Sequence, residues 1–363
     1  LTNNYFSESF LKGDNLIHLL LVHKKKEINK MKKPALFCSA IFCVVLTGLV
    51  SCSKSDPPPE IDHSVIKTTD IFYVAGDTMH KHTLDVYYRN NSTSRKVIFF
   101  VPGGAWRQGD KDQYEIMALT LTSLGNYTVV VTNYRLSNEN DGSAVHPEHV
   151  QDVALAFKWV MNNIMDYGGD PNSVFLFGQS AGGHLVSLLA SDNQYLNQVG
   201  YSTKNIKGVI SMSGAYSLAD LVAFPMNPLN LSADEVLMYK GIVANAFGSY
   251  DTATVNPASP SRHLGDSLPP FLLIYTELDM PGFAADAENC YSLMNIAGVP
   301  SAGIQKLYQS DYSAETWQTA TALAAAEPAL ADYIGHYAEV VAINEYDYLK
   351  VPTKWIVAFI GAN

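Results

Sequence analysis

Ser180 stands in the pentapeptide Gly178-Gln179-Ser180-Ala181-Gly182, between the β-branched and aromatic run Val174–Phe177 and an apolar stretch, Ala181–Ala190. With the run as a strand and the stretch as a helix, the serine occupies a sharp strand-to-helix turn. Small neighbours on both sides permit its awkward backbone angle, and the hydroxyl is pushed out at the carboxyl end of a sheet. A hydroxyl so placed can attack a carbonyl carbon. The Ala181 N–H then sits at a helix N-terminus, where unpaired donors and the dipole favour negative charge developing on the carbonyl oxygen. A Gly/Ser turn that merely packs tightly is the bland alternative; the strand–turn–helix context argues against it.

Upstream, Val101-Pro102-Gly103-Gly104-Ala105-Trp106 closes another such run, Lys96–Val101. Paired glycines let the backbone fold close to a substrate. The N–H groups of Gly104 and Ala105 are therefore expected to aim at the same oxygen as Ala181, forming an oxyanion hole. Each such donor is typically worth about 3–4 kcal/mol of transition-state stabilisation. Trp106 is expected to line the acyl pocket or to brace this loop, and Gln179 to border the pocket.

On these residues the chain resembles the esterase/lipase branch of the α/β-hydrolases, which carries an H-G-G-x-W or H-G-G-G loop. Within it the chain is most similar to kynurenine-formamidase-like and prenylcysteine-methylesterase-like carboxylesterases. The matching residues are Gly103-Gly104-Ala105-Trp106, Tyr134-Arg135-Leu136, Gly168-Gly169-Asp170-Pro171-Asn172 and Gly178 to His184. The similarity spans residues 70–361 and is weakest at 215–262 and 312–334. Pro102 departs from the pattern. Most members have a histidine there that orders the loop, and proline can do so by fixing φ.

A serine hydroxyl is too weak a nucleophile without a base, and the base needs an acid to orient it. The resemblance implies the chain order serine, acid, histidine. Beyond Ser180 the histidines are His184, His263 and His336. His184 falls one helical turn after the serine and reads as a packing residue. His263 precedes the strand Phe271–Tyr275 and so any suitable acid. His336, in Gly335-His336-Tyr337, remains, after the last strand and before the C-terminal helices. Phe271–Tyr275 leads directly into Thr276-Glu277-Leu278-Asp279. Glu277, Asp279 and the more distant Asp286 are all chemically able, and the resemblance implies the position of Asp279.

His80 and His82 are spaced like a same-face pair on a strand, but no carboxylate or cysteine cluster accompanies them, so no metal and no cofactor is expected. Asp170 reads as a turn residue ahead of the elbow strand, and His146 and His149 as structural residues at a helix start.

Positioning these groups requires a sheet. Lys96–Val101, Tyr127–Thr132, Val174–Phe177, Val209–Met212, Phe271–Tyr275 and Gly303–Leu307 read as strands buried on both faces. Ile71–Val74 and Thr83–Tyr88 precede them as an antiparallel pair. Val150, Val153, Ala154, Phe157, Val160 and Met161 form one apolar helical stripe, and Pro352 can open a last helix through Ile360. Strands alternating with helices predict an α/β protein. The expectation is one α/β-hydrolase domain, residues 69–363, with a mostly parallel eight-stranded sheet flanked by helices. Residues 215–262, with exposed-looking Leu221, Phe224, Met226 and Met238, and residues 312–334, Ala-rich around Trp317, read as small helical cap insertions.

The first fifty residues read differently. Lys32-Lys33, the apolar run Ala35–Val50 and then Leu49-Val50-Ser51-Cys52 are the parts of a secretory signal. Met31 directly precedes the lysines, so translation is expected to start there, with residues 1–30 a spurious upstream extension. A small residue followed by Cys resembles the bacterial lipoprotein processing site. That makes residues 31–51 the signal, Cys52 a lipid-bearing N-terminus, and 52–68, with Pro57-Pro58-Pro59, a polar tether. An ordinary cleaved signal and an uncleaved anchor are the alternatives; the run is short against the roughly 20 residues that a spanning helix needs. The expected place is a bacterial cell envelope, periplasmic or surface-facing. With Cys38 and Cys43 in the signal, Cys290 is left without a partner for an internal disulfide.

The 363 residues carry 24 Lys or Arg and 35 Asp or Glu, a net charge of −11; without the seven lysines and three acids of residues 1–51 it nears −15. An acidic surface disfavours nucleic acid and anionic membranes, leaving the lipid as the expected link to a membrane. The function expected is a cofactor-free serine carboxylesterase for small-acyl or carbohydrate (acetyl or feruloyl) esters. An amidase or formamidase on the same residues is the second reading, and a catalytically silent surface binding module the third.

Overall fold

The computed structural model describes residues 64–90, 94–138, 143–325, 333–343 and 353–363. The expected extension, signal, Cys52 and most of the tether lie outside the described residues, as does Pro352. Eight strands form one sheet: β1 (Val65–Phe72), β2 (Thr83–Arg89), β3 (Arg95–Val101), β4 (Thr128–Thr132), β5 (Gly169–Gln179), β6 (Ile206–Met212), β7 (Phe271–Thr276) and β8 (Gly303–Leu307). Their order is β1-β2-β4-β3-β5-β6-β7-β8. Strand β2 runs antiparallel to β1 and β4, and the remaining pairs are parallel. This is the helix-flanked, mostly parallel α/β-hydrolase sheet.

The continuous apolar runs are explained by two cores, one on each face. Val97, Phe99, Val130, Leu176, Val209 and Leu273 belong to the core beneath helices Glu148–Asn163, Ala181–Ser191 and Phe283–Ile296. Their neighbours Ile98, Phe100, Val129, Val131, Phe175, Phe177, Ile210 and Ile274 belong to the other, under helices Glu115–Gly125, Ile334–Ile343 and Thr353–Ala362. Successive strand side chains point to opposite faces, so a strand covered twice keeps few polar positions, among them Thr128, Thr132 and Ser211. Edge strand β1 lacks that cover. It begins at Val65, well before the apolar Ile71–Val74 that marks it in the sequence, because half-buried Lys67 and Thr68 and exposed Thr69 and Asp70 are polar and hide the strand pattern.

Topology prepares the site. From β3 the chain steps outward to β4, then returns past β3 to place β5 on its other side. The loops leaving β3 and β5 therefore diverge, and the crevice at a sheet's reversal point is where ligands bind in open α/β sheets. Of the two expected insertions, 215–262 forms helices Leu218–Leu221, Ala233–Phe247 and Thr252–Val255, and 312–334 contributes helix Ala314–Ala325. Phe224 and Met226 are exposed, Met238 is half-buried, and Leu221 differs from expectation by pointing inward. Among the described residues no helix is long and apolar enough to cross a membrane.

The Tyr134-Arg135-Leu136 segment after β4 is fixed by charge. Arg135 Nε and Nη2 donate to the two oxygens of buried Asp152 at 2.9 and 2.8 Å, its backbone N–H adds a third bond at 2.9 Å, and Nη1 reaches Glu148 at 2.8 Å. His82 Nε2 stands 3.3 Å from the same carboxylate. Burial alone would raise the Asp152 carboxyl, but hydrogen bonds from His82 and Arg135 outweigh it and hold it below the usual carboxylate range. Removing one partner of such a buried set strands the others. Asp152→Ala should lower the unfolding free energy by about 3–5 kcal/mol at neutral pH in urea titrations. Because the folded-state pKa is depressed, this contribution is present above about pH 4 and is lost as pH falls through the lowered value. A loss below about 1 kcal/mol would show that the network is solvated instead.

Candidate active site

Ser180 sits between β5 and helix Ala181–Ser191 with φ 54° and ψ −120°. Its N–H donates to Met212 O at 2.8 Å, and His184 N–H donates to its carbonyl at 3.0 Å. The flanking glycines are needed for contact. A Cβ on Gly178 would lie 2.3 Å from Gly182 O, and one on Gly182 would lie 2.0 Å from Val101 O. No side chain fits in either gap.

His336 comes from the other end of the chain. It is the third residue of helix Ile334–Ile343, so it lies within a C-terminal helix and not ahead of the C-terminal helices, which corrects the sequence expectation. Its Nε2 lies 3.1 Å from Ser180 Oγ and its Nδ1 lies 2.7 Å from Asp279 Oδ1. The helix can come so close because residue 335 is glycine: a Cβ there would stand 1.8 Å from Glu277 O. Gly335 N–H also donates to Leu278 O at 3.1 Å, and the imidazole packs edge-on against Phe283.

Asp279 is buried, and Met280 N–H donates to its Oδ1 at 2.7 Å. The Ser213 hydroxyl contacts its other oxygen. The competing acids lie elsewhere. Glu277 accepts the Gln309 N–H at 3.0 Å on the surface, while Asp286 accepts the backbone N–H groups of Tyr216 and Ser217. Burial pushes the Asp286 carboxyl up to about 7.

The loop after β3 takes three consecutive left-handed residues, Gly104 (φ 118°), Ala105 (φ 50°) and Trp106 (φ 59°). The Tyr134–Asn138 stretch clasps it: Tyr134 Oη donates to Pro102 O at 3.1 Å, Ser137 N–H to Trp106 O at 2.9 Å, and Asn138 Nδ2 to Arg107 O at 2.6 Å. Thus the carbonyl of Pro102, where histidine was the pattern, is held by a tyrosine. Among the described residues no backbone hydrogen bond occupies the N–H of Gly104, Ala105 or Ala181.

Trp106 both borders the cavity and braces the loop. Its Nε1–H donates to His184 Nδ1 at 3.2 Å, and its ring stands edge-on to His184 and Phe247. His184 in turn donates from Nε2 to Ala258 O at 2.8 Å. Burial pushes its imidazole down to about 3, so it stays neutral and can accept from the indole. Gln179 is buried beneath the loop, its Oε1 only 2.4 Å from where a Cβ of Gly103 would fall. His263 bonds Pro257 O at 2.8 Å, away from the site. His80 and His82 lie in a 3-10 turn, not on a strand, and His82 is held between Asp77 and Asp152. His149 is buried against Ser137 and, like His146, is kept neutral by burial.

Ser180, His336, Gly104, Ala105, Trp106, Gln179 and Ala181 border one cavity of about 100 Å³. Leu221, Tyr239, Ile242, Val243, Met280 and Phe283 give it an apolar wall. A hydroxyl bonded to an imidazole that is itself bonded to a carboxylate can lose its proton while it attacks. Sequence reasoning passed over Ser213 and Glu339, which adjoin Asp279. The available signal was Glu339 itself, an acid amid Tyr337-Ala338 and Val340-Val341-Ala342, one turn after His336.

The family profile described as BD-FAE matches residues 84–281. A probable carboxylic ester hydrolase of Mycobacterium tuberculosis, LipM, is 32% identical over 217 residues, 58% of this chain and 47% of the relative. A probable isoprenylcysteine alpha-carbonyl methylesterase of Arabidopsis thaliana is 32% identical over 202 residues, 54% of this chain and 41% of the relative. The chain thus spans about half the length of these curated relatives. Among solved structures, esterase B from Lactobacillus rhamnosis superposes with a TM-score of 0.57 at 21% identity, covering 75% of this chain and 88% of that one, which shows the shared fold.

The geometry at Ser180 has a direct chemical check. A fluorophosphonate probe should add to Ser180 alone, as read by mass spectrometry of the digested protein. Labelling should vanish in Ser180→Ala and slow by roughly 1,000-fold or more in His336→Ala, because a triad acts as a unit. Equal labelling of several serines would show an unactivated hydroxyl.

Proposed function

The chain belongs to the BD-FAE family, and from that premise we propose that it is a serine carboxylesterase using Ser180 as nucleophile, His336 as base and Asp279 as the acid that orients it. One observation carries the reading: His336 bridges Ser180 at 3.1 Å and Asp279 at 2.7 Å at the mouth of an apolar cavity. Ser180 Oγ attacks the ester carbonyl while His336 Nε2 takes its proton. The oxyanion rests on the N–H groups of Gly104, Ala105 and Ala181. His336 then protonates the leaving alcohol, and water repeats the attack on the acyl-serine to release the acid. The chemistry runs through protein groups alone.

The acyl group is short in this reading. A cavity of about 100 Å³ is well below the roughly 300–1,000 Å³ of drug-sized ligand sites. It suits an acetyl group better than a feruloyl group, with the alcohol, such as a sugar, left outside. In a panel of chromogenic esters, kcat/KM should fall at least about tenfold from acetate to octanoate, since each buried methylene without room forces side chains aside. Sugar acetates should be cleaved faster than feruloyl esters and than matching anilides. Preference for octanoate would overturn the short-acyl reading, and faster anilide cleavage would favour the amidase.

The localisation proposed is a bacterial envelope, through lipid on Cys52. Support comes from the Lys32-Lys33, Ala35–Val50, Ser51-Cys52 pattern. Expression of the gene in a bacterium fed labelled palmitate should give a labelled, membrane-associated product, and Cys52→Ala should abolish both. Labelling retained in Cys52→Ala would remove the proposal.

A further inference from the structure

One helical turn beyond His336, Glu339 is fully buried, and the reaction above gives it no part. The cavity lining includes Tyr337 and Val340, its neighbours along the helix. Ser213 Oγ lies 2.8 Å from Glu339 Oε1 and also in short contact with Asp279 Oδ2. The second oxygen, Oε2, and the Gln179 amide nitrogen are both buried without a partner of ordinary geometry among the described residues, and the two side chains face each other. Tyr312, whose hydroxyl pairs with Thr276 Oγ1 at 2.9 Å, faces Glu339 from a further element. Among the described residues the imidazole of His336, on Asp279, is the basic side chain in contact with this group of acids.

Hydrogen atoms decide the arrangement. Ser213 has one hydroxyl hydrogen, and two carboxyl oxygens lie within reach of it. With both acids ionised, one of them would face bare oxygen, and two negative charges would share a dry site, which burial strongly disfavours. One added proton resolves this. A Glu339 O–H donates to Ser213, the Ser213 O–H donates to Asp279, and the Gln179 N–H meets the remaining Glu339 carbonyl. The proton belongs on Glu339 because Asp279 already accepts from Met280 N–H at 2.7 Å and pairs with His336 at 2.7 Å, contacts that favour a carboxylate. Burial, followed by the charge of Asp279, also holds the Glu339 carboxyl well above its usual range.

We propose that Glu339 is a positioning residue: as a carboxylic acid it donates to Ser213, commits that hydroxyl to Asp279, and through Gln179 ties the acid's loop to the turn that carries Ser180. The proposal deepens the esterase reading and rests on it. Its effect is to keep Asp279 charged and aligned with the imidazole, on which the tautomer and aim of His336 depend.

The test compares Glu339→Gln, Glu339→Ala and Ser213→Ala with the unmodified protein on p-nitrophenyl acetate. Glutamine places an N–H where the acid has its O–H, offers a carbonyl to Gln179, and cannot ionise. Turnover in Glu339→Gln should stay within about threefold, while Glu339→Ala and Ser213→Ala should lose about 10- to 100-fold in kcat with KM little changed. Infrared spectra should contain the carbonyl band of a protonated carboxyl that Glu339→Gln lacks. Glu339→Gln as slow as Glu339→Ala, or the absence of that band, would overturn the proposal. Should Glu339→Ala fail to fold, as thermal melting reports, the Gln and Ser213→Ala variants carry the comparison. An unmodified protein inert towards all esters would instead sink the esterase reading. The infrared band, and the rates at which a fluorophosphonate labels Ser180 in each variant, would still decide the role of Glu339.

Discussion

A non-glycine backbone held at φ 54° beside a sheet is the constraint from which the site follows. Such a conformation costs on the order of 1–3 kcal/mol and survives only where the surroundings over-determine it. Here the Met212 carbonyl fixes the Ser180 N–H, and the helix that follows lies so close to residue 178 and to β3 that neither residue 178 nor residue 182 has room for a side chain. The same closeness brings the loop after β3 over the serine. A Cβ on Gly103 would be 3.1 Å from Ser180 Cβ. Ser180 and the loop that carries Gly104 and Ala105 are therefore set by one packing contact rather than independently.

Burial then sorts the ionisable groups. His149 and His184 are enclosed, stay neutral and serve as hydrogen-bonding braces, one for the segment after β4 and one for Trp106. His336 has a carboxylate on one nitrogen and a hydroxyl on the other. Of three acids near the end of β7, Asp279 is the one whose oxygen meets the imidazole, because the tight approach of Gly335 to the Glu277 carbonyl sets the helix directly against that loop. A bulkier residue 335 would move the His336 imidazole away from both partners.

What the sequence made legible follows from the range of each interaction. The central strands and the elbow were readable because doubly covered strands are apolar almost throughout and a strained turn needs small residues at fixed offsets. The sequence misses most of strand β1 because half-buried Lys67 and Thr68 and exposed Thr69 and Asp70 carry no such signature. Leu221 was taken as exposed because a short helix of the insertion gives no periodicity from which to read its inner side. His336 emerged by elimination, yet its helix did not, since Gly335 reads as a breaker until the carbonyl it must pass is known. Ser213 and Glu339 were invisible for a stronger reason. They come from segments 126 positions apart and acquire meaning only from a shared hydrogen bond.

The cavity is walled in part by the segment 215–262, which is separate in the fold from the elements that carry Ser180, Asp279 and His336. Leu221, Tyr239, Ile242 and Val243 bring its inner side to the cavity, whereas Ser180, Asp279 and His336 rise from the sheet ends and from one C-terminal helix. The segment is held to the body by apolar packing, with Phe247 against Trp106, His146 and His184, and by hydrogen bonds. Asp286 accepts the Tyr216 and Ser217 N–H groups, Ser259 Oγ accepts the Leu218 N–H at 3.0 Å, and Tyr239 Oη donates to Pro281 O at 2.7 Å. An acid that qualified chemically as a catalytic residue is thus used to root the cap.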